Sequence, residues 1–331
     1  MDPVSQAALG ASFSQSITKN TNLKIATFLG CVAGMAPDLD VLISSKTDPL
    51  LFLEFHRQFT HSLFFIPIGS LIVTLFFYPF FKRYCSFKAG YLYCFMGYAS
   101  HGLLDACTTY GTQLFWPLSS SRHAWNNISI IDPLFTLPIL IFIALSIYKK
   151  SLLLSKVGVI WAIGYLLVGV VQRDRAVSVG QELASSRGHT IDRLEAKPGF
   201  ANLLVWKTIY ESDGQFYVDA VRVGFKSKVI PGKSIKKLDP STQLSWLDPQ
   251  SQQALDVERF KWFSNDYLAV DQSNPYRIID VRYSAVPNEI NSLWAIDLDP
   301  NKEATEHVRW VALRQIGPTQ INNWWAMIRG K

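Results

Sequence analysis

The sequence predicts an α-helical multi-pass membrane bundle, four long spans plus a short N-terminal helical hairpin, followed by a soluble mixed α/β domain. Three observations predict it. Of 331 residues, 49% are apolar and only 18% charged, against roughly a quarter charged in an ordinary soluble domain. Up to residue 171, long apolar runs alternate with short polar breaks; beyond Gln172 the charged residues return and no long apolar run follows. Within the first half, acids and bases also sort to alternate segment ends. The expected division is a transmembrane helical domain over 1–175, carrying a candidate metal site, and an extracytoplasmic α/β domain over 190–331.

Residues 3–16 are rich in Ala, Ser and Gly, and 23–36 form a second short apolar run. As helices they would measure about 21–24 Å, short of the ~30 Å hydrocarbon core, so they read as a hairpin that does not fully span. Pro37 breaks the second helix just before Asp38 and Asp40. Four longer spans are expected over 61–81, 89–107, 131–148 and 152–171. In the second half, apolar alternation over 203–210 and 216–223 around Ser212-Asp213-Gly214 predicts a hairpin. Residues 250–264 have helical spacing, and 277–284, 293–298 and 308–313 read as further strands.

With six segments and the N-terminus outside, the cytoplasmic turns hold Lys19, Lys24, Lys82, Arg83, Lys88, Lys149, Lys150 and Lys156. The external loops of this half hold Lys46, Arg57 and Arg122, so the count is eight against three. That is the sense of the positive-inside rule, and it places the C-terminal half outside. Every carboxylate before residue 172 falls on the outer side, and so do His56, His61, His101 and His123.

The net charge of +6 is scattered or flanks apolar runs. No basic stripe with interleaved aromatics appears, which argues against nucleic acid. Cys31, Cys85, Cys94 and Cys107 fit neither a CxxC metal pattern nor a disulfide framework and read as small buried hydrophobes. The N-terminus lacks the charged region and cleavage site of a signal peptide, so the first helix is expected to be retained.

Candidate chemistry lies in the ionisable groups of the membrane half, because such groups rarely sit beside lipid without a function. His101 and Asp105 are four apart on an expected helix and share a face, so both can reach one divalent ion. If the chain is extended after Pro37, Asp38 and Asp40 point the same way; on a helix they diverge and only one would be a ligand. His56 and His61 are five apart, which places His56 in an approach loop and His61 in a first helical turn with Thr60 as N-cap. Such nitrogen and oxygen donors suit zinc, manganese or iron better than calcium. The set of Asp38, Asp40, His56, His61, His101 and Asp105 exceeds one four-coordinate ion, so it admits one or two ions. Arg57, between the imidazoles, is placed to clamp a phosphate, and Arg122 is a second candidate for stabilising substrate charge. Asp132 before Pro133 suits a helix cap better than a metal contact. No GxSxG, Walker or dinucleotide fingerprint is present.

Several motifs occur in a fixed order: Met1-Asp2-Pro3-Val4-Ser5-Gln6, Ala36-Pro37-Asp38-Leu39-Asp40, His56-Arg57-Gln58-Phe59-Thr60-His61-Ser62 and His101-Gly102-Leu103-Leu104-Asp105. Thr109-Tyr110-Gly111 and Ile130-Ile131-Asp132-Pro133-Leu134-Phe135-Thr136 follow. Together they resemble the LexA-regulated membrane-bound metal-dependent hydrolase family, the YdjM-like inner-membrane proteins. The resemblance implies a multi-pass bacterial inner-membrane protein that is a metal-dependent hydrolase, with motif positions here at Asp38, Asp40, His56, Arg57, His61, His101, Asp105 and Asp132. One departure is that many members carry histidine where this chain has Gln6. A neutral amide ligates a transition metal poorly, so the first helix is expected to supply a hydrogen bond there, or the metal count is lower.

The expected function is a metal-dependent hydrolase for a phospholipid or other phosphoester amphiphile, with membrane lipid as environment and substrate. The rival is a non-enzymatic membrane protein whose polar cluster is a structural ion site or proton path and whose soluble half recruits an envelope partner. A transporter is disfavoured because no paired broken helices occur in symmetric halves. The sequence names no protein partner.

Overall fold

The computed structural model describes residues 1–314 and 316–330. It divides into two compact units, 1–42 with 55–171 and 200–202, and 43–54 with 172–199 and 203–331.

The first unit is helical. Helix α1 (Pro3–Ser16) starts on Asp2, whose carboxylate accepts from the amides of Val4 and Ser5. Helix α2 (Leu23–Met35) runs into a 3-10 helix over Ala36–Leu42, which accommodates Pro37 in its first turn. Helix α3 (Leu51–Phe55), in the second unit except for its last residue, leads to short 3-10 turns at Phe59–His61 and Leu63–Phe65. Then come α4 (Ile66–Phe81) and α5 (Phe87–Cys107), α6 (Pro133–Lys149), capped by Asp132, and α7 (Leu152–Ser186), whose residues from Gln172 on belong to the second unit.

Among the described residues, three helices are long and apolar enough to cross a membrane: Leu23–Leu42, Leu63–Phe81 and Leu152–Ser186; Pro133–Lys149 is apolar but shorter. This corrects two expectations. The second segment is not a short half-hairpin, because its 3-10 continuation carries it past Pro37 to 20 residues. Helix α5 does not count among the apolar three, because it carries polar and small residues, Ser100, His101 and Asp105 among them, on its buried faces. It packs against α1, α2 and α4. Close approach is possible because Gly97 faces Gly30, where an added Cβ would stand 2.5 Å from the Gly30 carbonyl oxygen.

The second unit holds, among the described residues, two antiparallel sheets. Strands β1 (Arg193–Pro198), β2 (Val205–Ser212), β3 (Gln215–Val223) and β4 (Ser227–Lys236) pair in chain order. The expected hairpin is there. Asp213 at φ 50° and Gly214 at φ 68° turn the chain tightly, so that Ser212 pairs with Gln215. Short helix α8 (Pro240–Gln243) and α9 (Gln252–Phe263) precede the second sheet, β5 (Leu268–Asp271), β6 (Asn274–Asp280), β7 (Trp294–Asp297) and β8 (Arg309–Ala312). Helix α10 (Pro318–Arg329) follows. Ile209, Phe216 and Val218 of the first sheet pack with Ala269, Ile279 and Ala295 of the second in one core.

Candidate metal centre

The site is assembled at one end of the helical unit. Helix α5 brings His101 and Asp105, both fully buried, one turn apart on one face. The end of α2 supplies the Gly34 carbonyl, and the 3-10 helix after it supplies Asp38 and Asp40. The loop from 55 to 61 returns beside them with His56, Arg57 and His61.

Asp40 holds this loop in place. Its Oδ2 accepts from the Arg57 amide at 3.0 Å and from the Thr60 hydroxyl at 2.8 Å, while its Oδ1 stands 2.8 Å from His56 Nδ1. Arg57 takes a left-handed conformation at φ 66°, which costs on the order of 1 kcal/mol and is sustained by these contacts. Thr60 is therefore not the expected N-cap. It lies inside the 3-10 turn and its hydroxyl is committed to Asp40, while Ser62 caps the next turn. Asp38 and Asp40 are likewise not extended: both lie in the 3-10 helix, and their carboxylates still come within 4.8 Å of one another in a group with His56.

The tautomers of both central imidazoles follow from their partners. His101 Nδ1 lies 2.6 Å from the Gly34 carbonyl, which can only accept, so this nitrogen carries the proton. His61 Nδ1 faces Thr60 Oγ1 at 2.9 Å and Asp40 Oδ2 at 3.2 Å, and since the Thr60 hydroxyl donates to Asp40, the imidazole again donates from Nδ1. Each Nε2 is then the atom left facing the site, and the two stand 2.9 Å apart, a spacing that one shared cation, a proton on His61 or a metal ion, sustains. Two lone pairs that close repel unless a cation lies between them.

Two carboxylate oxygens complete the arrangement. Asp38 Oδ1 is 3.4 Å from each Nε2, and Asp105 Oδ2 is 3.3 Å from His61 Nε2 and 3.8 Å from His101 Nε2. In a tetrahedron with bonds of about 2.0–2.1 Å, the ligand atoms stand roughly 3.3–3.4 Å apart. The five separations of 2.9–3.8 Å bracket that edge. Asp105 Oδ2 is buried with no hydrogen-bond partner of its own. Asp38, Asp40 and His56 form a second cluster that shares Asp38 with the first. All six side chains read from the sequence as ligands therefore converge on one place.

The remaining candidates surround it. Arg57 Nε lies 2.9 Å from Asp105 Oδ2 without hydrogen-bond geometry, and Nη1 donates to Thr108 at 3.0 Å. Arg122 donates to the Gly111 carbonyl at 2.9 Å. The Tyr110 ring lies under both guanidinium groups, 4.8 Å from Arg57 and 5.5 Å from Arg122. Gln6 Nε2 donates to Asp105 Oδ1 at 2.8 Å, while its Oε1 is buried without a partner. The Met1 main-chain nitrogen also contacts Asp105 Oδ1. Asp132 lies with α6: it accepts from the amides of Leu134 and Phe135 and from the Tyr165 hydroxyl at 2.8 Å, the role of a cap.

Sequence reasoning missed the supports. Thr60 was read as a cap and the Gly34 carbonyl was not singled out at all. Nor was Gly102, where an added Cβ would collide with the His61 carbonyl. Its place immediately after His101 was the one available signal.

Residues 1–176 match the YdjM inner membrane protein family. Over 153 residues the chain is 31% identical to the inner membrane protein YbcI of Escherichia coli (strain K12), covering 44% of this chain and 81% of that one. It is also 29% identical over 109 residues to the uncharacterized protein YfhP of Bacillus subtilis (strain 168), a third of each chain. No solved structure matches it. With the match covering more than half of the chain and all of its ordered acid and imidazole motifs, the chain belongs to the YdjM inner membrane protein family.

Proposed function

We propose that the protein is a metal-dependent hydrolase of the inner membrane, acting on a phospholipid or another phosphoester amphiphile. The observation that carries this is the facing pair of imidazole Nε2 atoms, each on a ring whose Nδ1 is already committed elsewhere, 2.9 Å apart and flanked by two carboxylate oxygens. His61, His101, Asp38 and Asp105 would hold one divalent ion, zinc or manganese by donor type; Asp40 and His56, sharing Asp38, would take part in a second. Such an ion supplies Lewis acidity, polarising an ester and acidifying a water.

The chain's own residues set the rest. The cluster's side chains hold three carboxylates, Asp38, Asp40 and Asp105, and one guanidinium, that of Arg57 against Asp105, so one divalent ion would neutralise them. A second ion would leave a positive excess that suits a phosphate. Asp38 is the open edge of the first cluster, its side chain 25% exposed where the other three are closed. Leu39, Val41 and Leu42 are exposed around it, an apolar approach that favours a substrate with an acyl tail. Arg57 is placed to shift from Asp105 towards charge developing on the substrate, and Arg122 is a second cation on the same aromatic ring. The site and the C-terminal domain are assigned to the outer face on the charge asymmetry of the loops.

The placement of the buried Arg57 guanidinium against Asp105 and Thr108 favours the second reading, a structural ion site in a protein that recruits an envelope partner. Incubating the purified protein with phosphatidylglycerol vesicles and zinc or manganese separates the two. Metal-dependent phosphate-ester release that disappears in Asp105→Ala supports the enzyme. Turnover that persists in the variant, or is absent with either metal, supports the structural site.

A further inference from the structure

The end of the helical unit opposite the metal centre holds a cleft of about 700 Å³, within the range of ligand pockets. Helix polarity fixes its place. The metal centre uses the start of α1, the end of α2 and the end of α5; the cleft is lined by the start of α2, the chain just before α5 and the end of α6. It also lies where apolar spans terminate. Leu23 is the first residue of one, Tyr84 is just past the end of a second, and Lys150 just before the start of a third.

The chemistry of the walls is mixed in a particular way. Leu23, Ile25 and Ile147 line it with apolar surface, and Lys24, Lys150 and Tyr84 line it with two ammonium groups and a phenol. The first turn of α2 adds the positive end of its dipole. The carboxylates of residues 1–171 are Asp2, Asp38, Asp40, Asp48, Glu54, Asp105 and Asp132. Those that belong to the helical unit, Asp2, Asp38, Asp40, Asp105 and Asp132, all lie at its other end, so no carboxylate of that unit neutralises the two lysines.

We infer that this cleft is a binding site for one anionic phospholipid, with the headgroup phosphate on Lys24 and Lys150 and the acyl chains along Leu23, Ile25 and Ile147. A choline headgroup would bring its quaternary ammonium against the two lysines and is selected against. Each lysine near such a surface favours an anionic lipid by a factor of roughly 5, so the pair is expected to give about 10- to 30-fold preference.

The test is native mass spectrometry of the detergent-purified protein titrated with phosphatidylglycerol or phosphatidylcholine. Wild type should retain one phosphatidylglycerol with about that preference. Lys24→Gln combined with Lys150→Gln, both exposed, should lose it with an unchanged unfolding temperature in lipid-free detergent. Lys19→Gln combined with Lys156→Gln, exposed at the same end but outside the cleft, should keep it. Equal retention of the two lipids by wild type would overturn the inference. So would an equal loss in the outer pair, which would mean diffuse charge, or displacement of the lipid by soluble glycerol phosphate, which would mean a free-phosphate site.

Discussion

His101 shows how much of the centre depends on one proton. Its Nδ1 is held on the Gly34 carbonyl at 2.6 Å, and only that arrangement leaves Nε2 bare towards His61. Thr60 does the same for His61 by donating to Asp40 and leaving its oxygen to accept. Replacing Thr60 with Val removes that acceptor and one support of Asp40 while keeping the shape. Outer partners of this kind are worth about 10- to 100-fold in metal affinity, so Thr60→Val should weaken zinc binding by that factor in a competition titration. Unchanged affinity would show that Thr60 does not orient the ring. The identities of the ligands were legible because acids and imidazoles are conspicuous in apolar surroundings. Their supports were not, since a backbone carbonyl and a threonine carry no mark in sequence until the loop is folded against them.

Between elements, the decisive contact is that of α5 with the loop after residue 55. Gly102 lies against the His61 carbonyl, so Gly102→Ala must push the loop or the helix aside. Overpacking of this kind costs about 1–3 kcal/mol, and here it would also separate the two Nε2 atoms. The variant should unfold at lower temperature and bind metal more weakly; a variant that loses neither would show slack at this contact. A second connection runs through the strap 43–54, which belongs with the sheets although it joins Asp40 to His56 along the chain. Arg259 holds it, gripping Asp48 with two hydrogen bonds of 3.0 and 2.8 Å and Glu54 with one of 2.6 Å. Burial works to raise the Asp48 carboxyl, but the Arg259 hydrogen bonds outweigh it and hold it below the usual range. That stabilisation is present above the ordinary carboxylate range and is lost as pH falls. Arg259→Ala should therefore speed proteolysis within 43–54 at neutral pH, and a cleavage rate equal to wild type would argue against the clamp.

Some elements were legible and others were hidden for physical reasons. The β2–β3 hairpin declared itself through alternation and Asp213-Gly214. Strand β4 did not: Pro231 and Gly232 interrupt it, most of it is exposed, and its pairing with β3 shifts register between Val218 and Ala220. The extent of α2 was underestimated because Pro37 was read as a stop, whereas a 3-10 turn tolerates it.

At the scale of the whole molecule, the two units answer to different conditions. The sheet unit buries Lys207, whose ammonium donates to Ser284 Oγ and the Glu289 carbonyl, both at 2.8 Å. Burial pushes this amine down to about 7, against about 10.4 when unfolded. Between those values the unfolded chain binds the extra proton, so stability should rise with pH from about 7 towards 10, by at most ~1.4 kcal/mol per pH unit. Lys207→Met should flatten that rise in thermal unfolding followed between pH 7 and 9; an unaltered slope would place its origin elsewhere. The helical unit should respond to chelation instead. Its metal centre joins the 3-10 helix after α2, the loop 55–61 and α5, and without a cation the three carboxylates there have the Arg57 guanidinium against Asp105 and the two imidazoles as partners.

Elemental analysis of the detergent-purified chain, wild type beside His61→Ala and His101→Ala, measures the central claim directly. One or two equivalents of zinc or manganese in the wild type, lost from both variants, is the expected result. A metal-free wild type, or the same metal content in all three proteins, would contradict it.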